Sequence, residues 1–272
     1  MNQYSLLEVA RAFIRSGEIA DALDALDAAL AADPTHQEAR RLRAEVHARG
    51  TDERQLRAAL VDYAALEALT VTDALRMAAL WQRVGDDAAA LAVLDAARAQ
   101  YPADERLPEQ QATLHMARGQ YAEALALITR RPVTWRWLAL AAECDAARGQ
   151  HAAAVQWLTQ ALALLDAQPD HDSPFYAEQR ARLLSARGRA HRALARYTDA
   201  LDDYTAAYQA MPNDPLILFN QAVVMQLSQQ PGAAVYYRLA YQAASPALRD
   251  IMRAEIASDA RLQTGLWTDR EV

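Results

Sequence analysis

The 272-residue sequence predicts an all-α chain built from repeated helical hairpins. Three observations carry that reading. Gly17, Gly50, Gly85, Gly119 and Gly149 fall 33, 35, 34 and 30 residues apart, a period that marks a repeat array. Between them, small and apolar residues recur every three or four positions, the spacing that places side chains on one helix face. Only eight glycines interrupt an alanine-rich chain, and no alternating apolar stretch bounded by turn signals reads as a strand.

The segment Leu183–Pro212, LLSARGRAHRALARYTDALDDYTAAYQAMP, shows the unit most clearly. Its first helical half carries Leu184, Gly188 and His191. A break near Ala195 follows, and a second half carries Tyr197, Ala200, Tyr204 and Ala207 at helical spacing. Pro212 stops the second helix, because proline has no N–H and clashes with the preceding turn. A helix, a tight turn, a helix and a stop of this length resemble the tetratricopeptide repeat. That family places small residues where Gly188, Ala200 and Ala207 stand, a large one at Tyr204 and proline at Pro212. Small residues are needed there for a physical reason, since only a short side chain lets two backbones approach where their helices cross closely.

Taken in order, the same register runs along the chain. Repeat one, residues 3–36, supplies Phe13, Gly17, Ala22, Leu26, Ala29 and Pro34. Repeat two, residues 37–70, keeps its length, but its turn GTDERQ is shifted and Ala59, Tyr63 and Leu66 come late. Repeat three, residues 71–104, supplies Trp81, Gly85, Ala90, Leu94, Ala97 and Pro102. Repeat four, residues 105–133, is clipped: Tyr121, Ala124 and Ile128 fit, and Arg130-Arg131-Pro132 ends the helix early. Repeat five, residues 134–172, has Gly149, Ala154, Leu158 and Ala161, then the insertion DAQPDHDSP. Ser173-Pro174 is an N-cap followed by proline at the first helical position. It opens a helix expected to run to about Leu194 into repeat six, residues 181–214. Repeat seven, residues 215–248, supplies Ala222, Ala234, Tyr241 and Pro246. Ser245-Pro246 repeats the start signal and opens a capping helix and tail, residues 246–272, with Leu248, Ile251, Met252, Ile256 and Leu262 on one face. The resemblance thus implies an α-solenoid of about seven repeats, a right-handed superhelix in one domain spanning 1–272.

Composition narrows the chemistry. All 28 basic residues are arginine, so P-loop and Schiff-base chemistry, which need a lysine amine, are excluded. The six histidines are scattered; His47, His115 and His191 share one repeat position, where the family packs an aromatic. No zincin helix, Cys-x-x-Cys pair, Gly-x-Ser-x-Gly elbow or Gly-x-Gly-x-x-Gly loop occurs. Asp166, Asp170, His171 and Asp172 gather in the insertion but lack the order of a calcium loop. The expectation is therefore no enzyme, no cofactor and no metal. Cys144 stands alone and reads as a small buried side chain. The N-terminal MNQYSLLEVARAF is not a basic stretch followed by an apolar run, and no long apolar stretch follows, so a cytoplasmic location is expected.

The resemblance implies a protein-interaction scaffold whose first helices line a concave face. Carried over, that face holds Tyr4, Leu7, Arg11, Ile14 and Arg15 in repeat one, and Arg136 and Glu143 in repeat five. Repeat six gives Arg182, Ser185, Arg189, Arg192 and Ala193, and repeat seven gives Leu216, Phe219, Val223, Gln226 and Leu227. Asn220 stands beside them, without the other residues of the family's carboxylate clamp. The arginine stripe beside an apolar strip suits a peptide carrying acidic and hydrophobic residues. The competing expectation is a solvated arginine face paired with Asp199, Asp202 and Asp203, the apolar strip being covered by the C-terminal helix. RNA is the alternative ligand, since helical repeats can read it and arginine suits phosphate and base stacking. A net charge of −7 weighs against it.

Overall fold

A computed structural model of the chain describes residues 3–266, with side chains from residue 6 to residue 263. The Tyr4 side chain and tail residues 267–272 lie outside the described residues. Every regular element is an α-helix, and no strand occurs among the described residues. The contacts divide the chain into two compact units, one ending at Arg118 and one beginning at Gly119.

In the first unit, α1 (Gln3–Ser16) pairs with α2 (Ile19–Ala32), α3 (Gln37–Ala48) with α4 (Glu53–Ala64), and α5 (Val71–Val84) with α6 (Asp87–Gln100). Each pair also packs on the next, and α7 (Arg106–Ala117) packs on α6. In the second unit, α8 (Tyr121–Ile128) packs on α9 (Trp135–Ala147), which pairs with α10 (His151–Asp166). Then α11 (Pro174–Ala193) pairs with α12 (Tyr197–Ala210), and α13 (Pro215–Leu227) with α14 (Ala233–Ala243). The chain ends in α15 (Pro246–Ser258) and α16 (Ala260–Leu266). The clipped fourth repeat supplies α7 and α8, one on each side of the division.

The repeat logic appears in the burial. Ala22, Leu26 and Ala29, then Ala90 and Leu94, then Ala154, Leu158 and Ala161, then Ala200, Tyr204 and Ala207 all lie in the core. Burying each large side chain of these sets contributes about 1.5–3 kcal/mol. Ala59, Tyr63 and Leu66 fill the same sites in repeat two, late in sequence as expected. Repeat seven differs from expectation: Ala233, Tyr237 and Ala240 form the core face, one residue earlier than Ala234 and Tyr241. Its core alanine follows the left-handed Gln229 by four residues where the other left-handed hairpin turns have five, and Gly232 just before it is left-handed too.

Gly17, Gly85, Gly119 and Gly149 end their first helices at φ between 71° and 86°, which a Cβ disfavours. Gly50 sits outside that conformation, because α3 ends at Arg49 and Asp52 caps α4. In repeats six and seven Ala195 and Gln229 adopt φ 56° and 57° where those four turns use glycine.

Polar bonds rivet the two helices of a hairpin. Arg43 of α3 grips Asp62 of α4 at 2.7 and 2.8 Å, and Arg187 of α11 grips Asp203 of α12 at 2.6–3.3 Å. His47 and His191 sit one turn after these arginines, and burial lowers both imidazole pKa values below 6.5.

The C-terminal cap departs from the expected single helix. An extended residue, Asp259, separates α15 from α16. Met252, Ile256 and Leu262 are buried, while Ile251 is 60% exposed.

Candidate functional site

A groove of about 1140 Å³ lies in the second unit. Its walls come from α9, α11 and α13 on one side and from the C-terminal helices on the other. Helix α9 presents Trp135, Ala139, Ala142, Glu143 and Ala146; α11 presents Arg182, Ala186, Arg189, Ala190 and Ala193. The turns that end the two helices, at Gly149 and Ala195, align 46 residues apart, so Glu143 stands at the repeat position of Arg189 and Arg136 at that of Arg182. Val223 and Leu227 of α13 continue the α11 face 34 residues beyond Arg189 and Ala193. Glu255, Ser258, Asp259, Arg261 and Leu262 close the far side.

The groove lining corrects part of the sequence reading. Arg136 is exposed and stacks on its neighbour Trp135, 5.2 Å from the ring centroid, but it does not line the groove. Trp135, the residue before it, lines the groove instead. Phe219 and Asn220 are 1% and 3% exposed, facing the core instead of a ligand. Phe219 packs on Tyr237 with ring centroids 6.2 Å apart, and the Asn220 Nδ2 donates to the Leu216 carbonyl at 2.8 Å. Val223 borders the groove but is buried beneath Met252, Ile256 and Leu262. Leu216 is exposed at the start of α13, away from the groove. The cause is systematic. Leu7, Ser185 and Phe219 occupy one repeat position, assigned to the concave face by resemblance, and all three are buried.

The arginines fare differently from one another. Arg182 and Arg189 are exposed along the groove; Arg182 pairs with Glu178 one turn earlier, and Arg189 makes no ion pair among the described residues. The Arg192 Nη1 donates to the Glu255 Oε1 of α15 at 2.6 Å. Asp203, expected to neutralise the stripe, is taken by Arg187. On the opposite wall Arg261 is neutralised by Asp259 at 2.6 Å. Glu143 is open to the groove, yet its enclosed setting raises its carboxyl pKa, with the Arg189 charge acting the other way. The groove therefore offers an uncommitted guanidinium, an aromatic edge, alanine shelves and one carboxyl.

Nothing here amounts to a nucleophile with a base. Cys144, buried in α9, is pushed up to about 11 by burial, so its thiol stays protonated. Asp166 accepts a 2.8 Å bond from Arg180, drawing it from the other insertion acids, and no three metal-ligating side chains converge among the described residues. No described helix is long and apolar enough to cross a membrane. In the first unit a smaller depression of about 310 Å³ is lined by Arg49, Arg76 and Arg83. There Arg76 pairs with Glu45 and Arg83 donates to the Ala48 carbonyl, so two of the three guanidinium groups are already engaged.

Tetratricopeptide repeat models match residues 5–46 and 109–172. The chain carries tetratricopeptide repeats. Its fold is similar to that of a tetratricopeptide repeat protein from Parabacteroides merdae, with TM-score 0.63 and 14% identity over 93% of this chain and 96% of that one. It is equally similar to the C-terminal part of a TPR repeat-containing protein from Cytophaga hutchinsonii, with TM-score 0.63 and 14% identity over 96% of this chain and 100% of that one. No curated protein sequence matches it. Repeats of this family suggest a protein-interaction scaffold. No repeat signal pointed to Trp135, since shifting Arg182 back by the 46 residues between Gly149 and Ala195 lands on Arg136. Glu255 and Arg261 carried none, because no repeat pattern ties the C-terminal segment to the groove.

Proposed function

We propose that this chain is a non-catalytic scaffold or adaptor that holds an extended or helical partner segment in the groove of its second unit. The observation that carries the reading is Arg189, exposed with no ion pair among the described residues on a groove lined also by Trp135 and Arg182. A solvated charge costs nothing to present, and meeting a carboxylate there adds charge complementarity and register. The alanine shelves at Ala139, Ala142, Ala186 and Ala193 leave room for a backbone to approach. A segment carrying an acidic residue beside an apolar or aromatic one satisfies both features. A cytoplasmic protein partner belongs to this reading.

The test is an array of acidic, neutral and basic peptides, with and without apolar residues, probed with the full chain. Acidic-apolar segments should bind best, and Arg182→Glu with Arg189→Glu should abolish the preference at low salt. The difference should shrink as salt rises, since exposed pairs are screened over about 8–10 Å. Equal binding by the reversed chain would refute the assignment of the groove. Binding of single-stranded RNA in competition with the peptides would move the groove to the nucleic-acid reading.

A further inference from the structure

The C-terminal helices cap the array and also occupy part of its groove. Helix α16 lies on α13 and α14, where Leu262 is buried in one cluster with Val223, Met252 and Ile256. The Gln226 side-chain amide donates to the Arg261 carbonyl at 3.2 Å, and Arg192 holds Glu255 at 2.6 Å. At the start of α15, half-buried Leu248 joins the same cluster, and Arg249 stacks on Tyr241 and donates to the Tyr241 and Gln242 carbonyls at 2.8 and 3.3 Å. Beyond that first turn, three apolar side chains, one amide bond and one ion pair fix the segment.

The hold is slight for a structural cap. Thirteen-residue α15 buries only Met252 and Ile256, whereas α13, of equal length, buries eight residues. Ile251 faces solvent, Asp259 breaks the helix, and Leu262 is the one buried side chain described in α16. The Arg192–Glu255 pair is partly exposed, at 24% and 31%. Segments with few buried apolar contacts and solvent-exposed polar ones open well before the rest of a fold.

We propose that the surface beneath α15 and α16 is a docking surface for an amphipathic helix of a partner protein. That helix takes the place of the C-terminal segment, with an acidic residue against Arg192 and apolar side chains in the seats of Met252, Ile256 and Leu262. The inference rests on the groove reading above, because displacement uncovers Val223, which borders the same groove and is buried with Met252, Ile256 and Leu262. The chemistry of the occupant is already written by the segment that sits there. A helix laid in a groove is recognised by apolar anchors at helical spacing plus a register-setting charge, and the resident segment supplies both. Being tethered, it competes at high effective concentration, so a partner reads only the open fraction.

The probe is a fluorescent peptide of residues 246–266 added to the full-length chain. In the parent, the tethered segment should keep binding weak. Leu262→Asp should raise amide exchange across α15 and α16 while α13 and α14 stay protected. It should tighten probe binding by at least about tenfold, the factor set by a closed state at nine-tenths occupancy. Adding Arg192→Glu to that chain should abolish binding, and a probe carrying Glu255→Arg should restore it. Release of α15 and α16 without probe binding would overturn the proposal, as would loss of protection in α13 and α14 together with them. Indifference to the Arg192 charge would do the same. Concentration-dependent dimers that exchange the segment would assign the surface to a second copy of the chain and overturn the partner. The groove reading fails separately, through Arg182 and Arg189, neither of which pairs with the C-terminal helices.

Discussion

A Cβ placed on Gly188 would stand 2.9 Å from the Cζ of Tyr204 and 3.0 and 3.2 Å from two further ring carbons. Gly188 is therefore the space into which the Tyr204 ring fits, and Tyr204 has no exposed surface. The ring is held on its other sides by the α11–α12–α13 packing, with Ala200 and Val224 in the same cluster. It cannot swing away without opening that interface.

Gly188→Ala should destabilise the chain despite alanine's better helix propensity. Overpacking costs about 1–3 kcal/mol, and propensity returns at most about 1. A net loss of about 1–2 kcal/mol should appear as a lower denaturant midpoint with an unchanged m-value. A stability equal to or above the parent's would show that the ring has room to move.

Ala195 should respond in the opposite sense. It holds φ 56°, a left-handed conformation that costs a residue with a Cβ about 1–2 kcal/mol. Ala195→Gly relieves that strain but adds freedom to the unfolded chain, so a gain of about 0.5–1 kcal/mol is expected. Gly85→Ala, at φ 86° with nothing within 4 Å of an added Cβ, should lose a similar amount through conformation alone. Thermal melts of the two variants on either side of the parent would check the pair.

How much of this was legible in the sequence follows from what repeats. Helix pairs, their order and the long α11 opening at Pro174 follow from glycine, alanine and proline spacing, which report backbone constraints. The groove residues were less legible, because one repeat position carries Leu7, Ser185 and Phe219 inward in this chain. The Phe219 error came from transferring a position instead of reading packing: an aromatic followed by Asn220 and Ala222 on a helix buried nearly all round belongs to the core. Repeat seven's core face was misplaced by one residue for a related reason, since a one-residue shift after Gln229 leaves no local mark. The ion pairs were invisible for another reason. Asp202 and Asp203 are chemically alike, and only helix phase puts Asp203 under Arg187.

The Arg187–Asp203 fork is a test of that buried polar rivet. Asp203 is 5% exposed and Arg187 23%, so removing the carboxylate strands a largely buried guanidinium. Asp203→Asn should cost about 3 kcal/mol. Replacing both partners, Arg187→Met with Asp203→Leu, should recover most of it, because neither charge is then left buried. Failure of the double variant to recover would mean that the bond specifies packing that apolar side chains cannot.

His47 and His191 should give the protein an acid-sensitive stability. Burial lowers both pKa values, with Asp62 beside His47 and Asp203 and Asp199 beside His191 acting the other way, and Arg43, Arg187 and Arg196 assisting. Above pH 6.5 both rings are neutral in folded and unfolded chains alike, so they contribute no slope. As pH falls through 6.5, the unfolded chain takes up protons first, and stability drops until the folded rings protonate as well. Denaturation midpoints between pH 7.5 and 5 should fall, and His47→Gln with His191→Gln should flatten the decline. A double variant with the parent's slope would assign it to carboxylates instead.

Ala200 tests whether the close crossing of α11 and α12 is a local matter. The residue has no exposed surface and shares a cluster with Tyr204 and Val224, from two successive helices. Ala200→Leu adds three carbons where none fit, and overpacking of this kind costs about 1–3 kcal/mol. In a stack where each repeat touches only its neighbours, that strain stays near its source. Amide exchange should therefore quicken in α11, α12 and α13, with little change in α1 and α2. Equal quickening throughout the chain would mean that stability is shared globally, against the nearest-neighbour expectation. No change anywhere would mean that the crossing has a void the alanine does not fill.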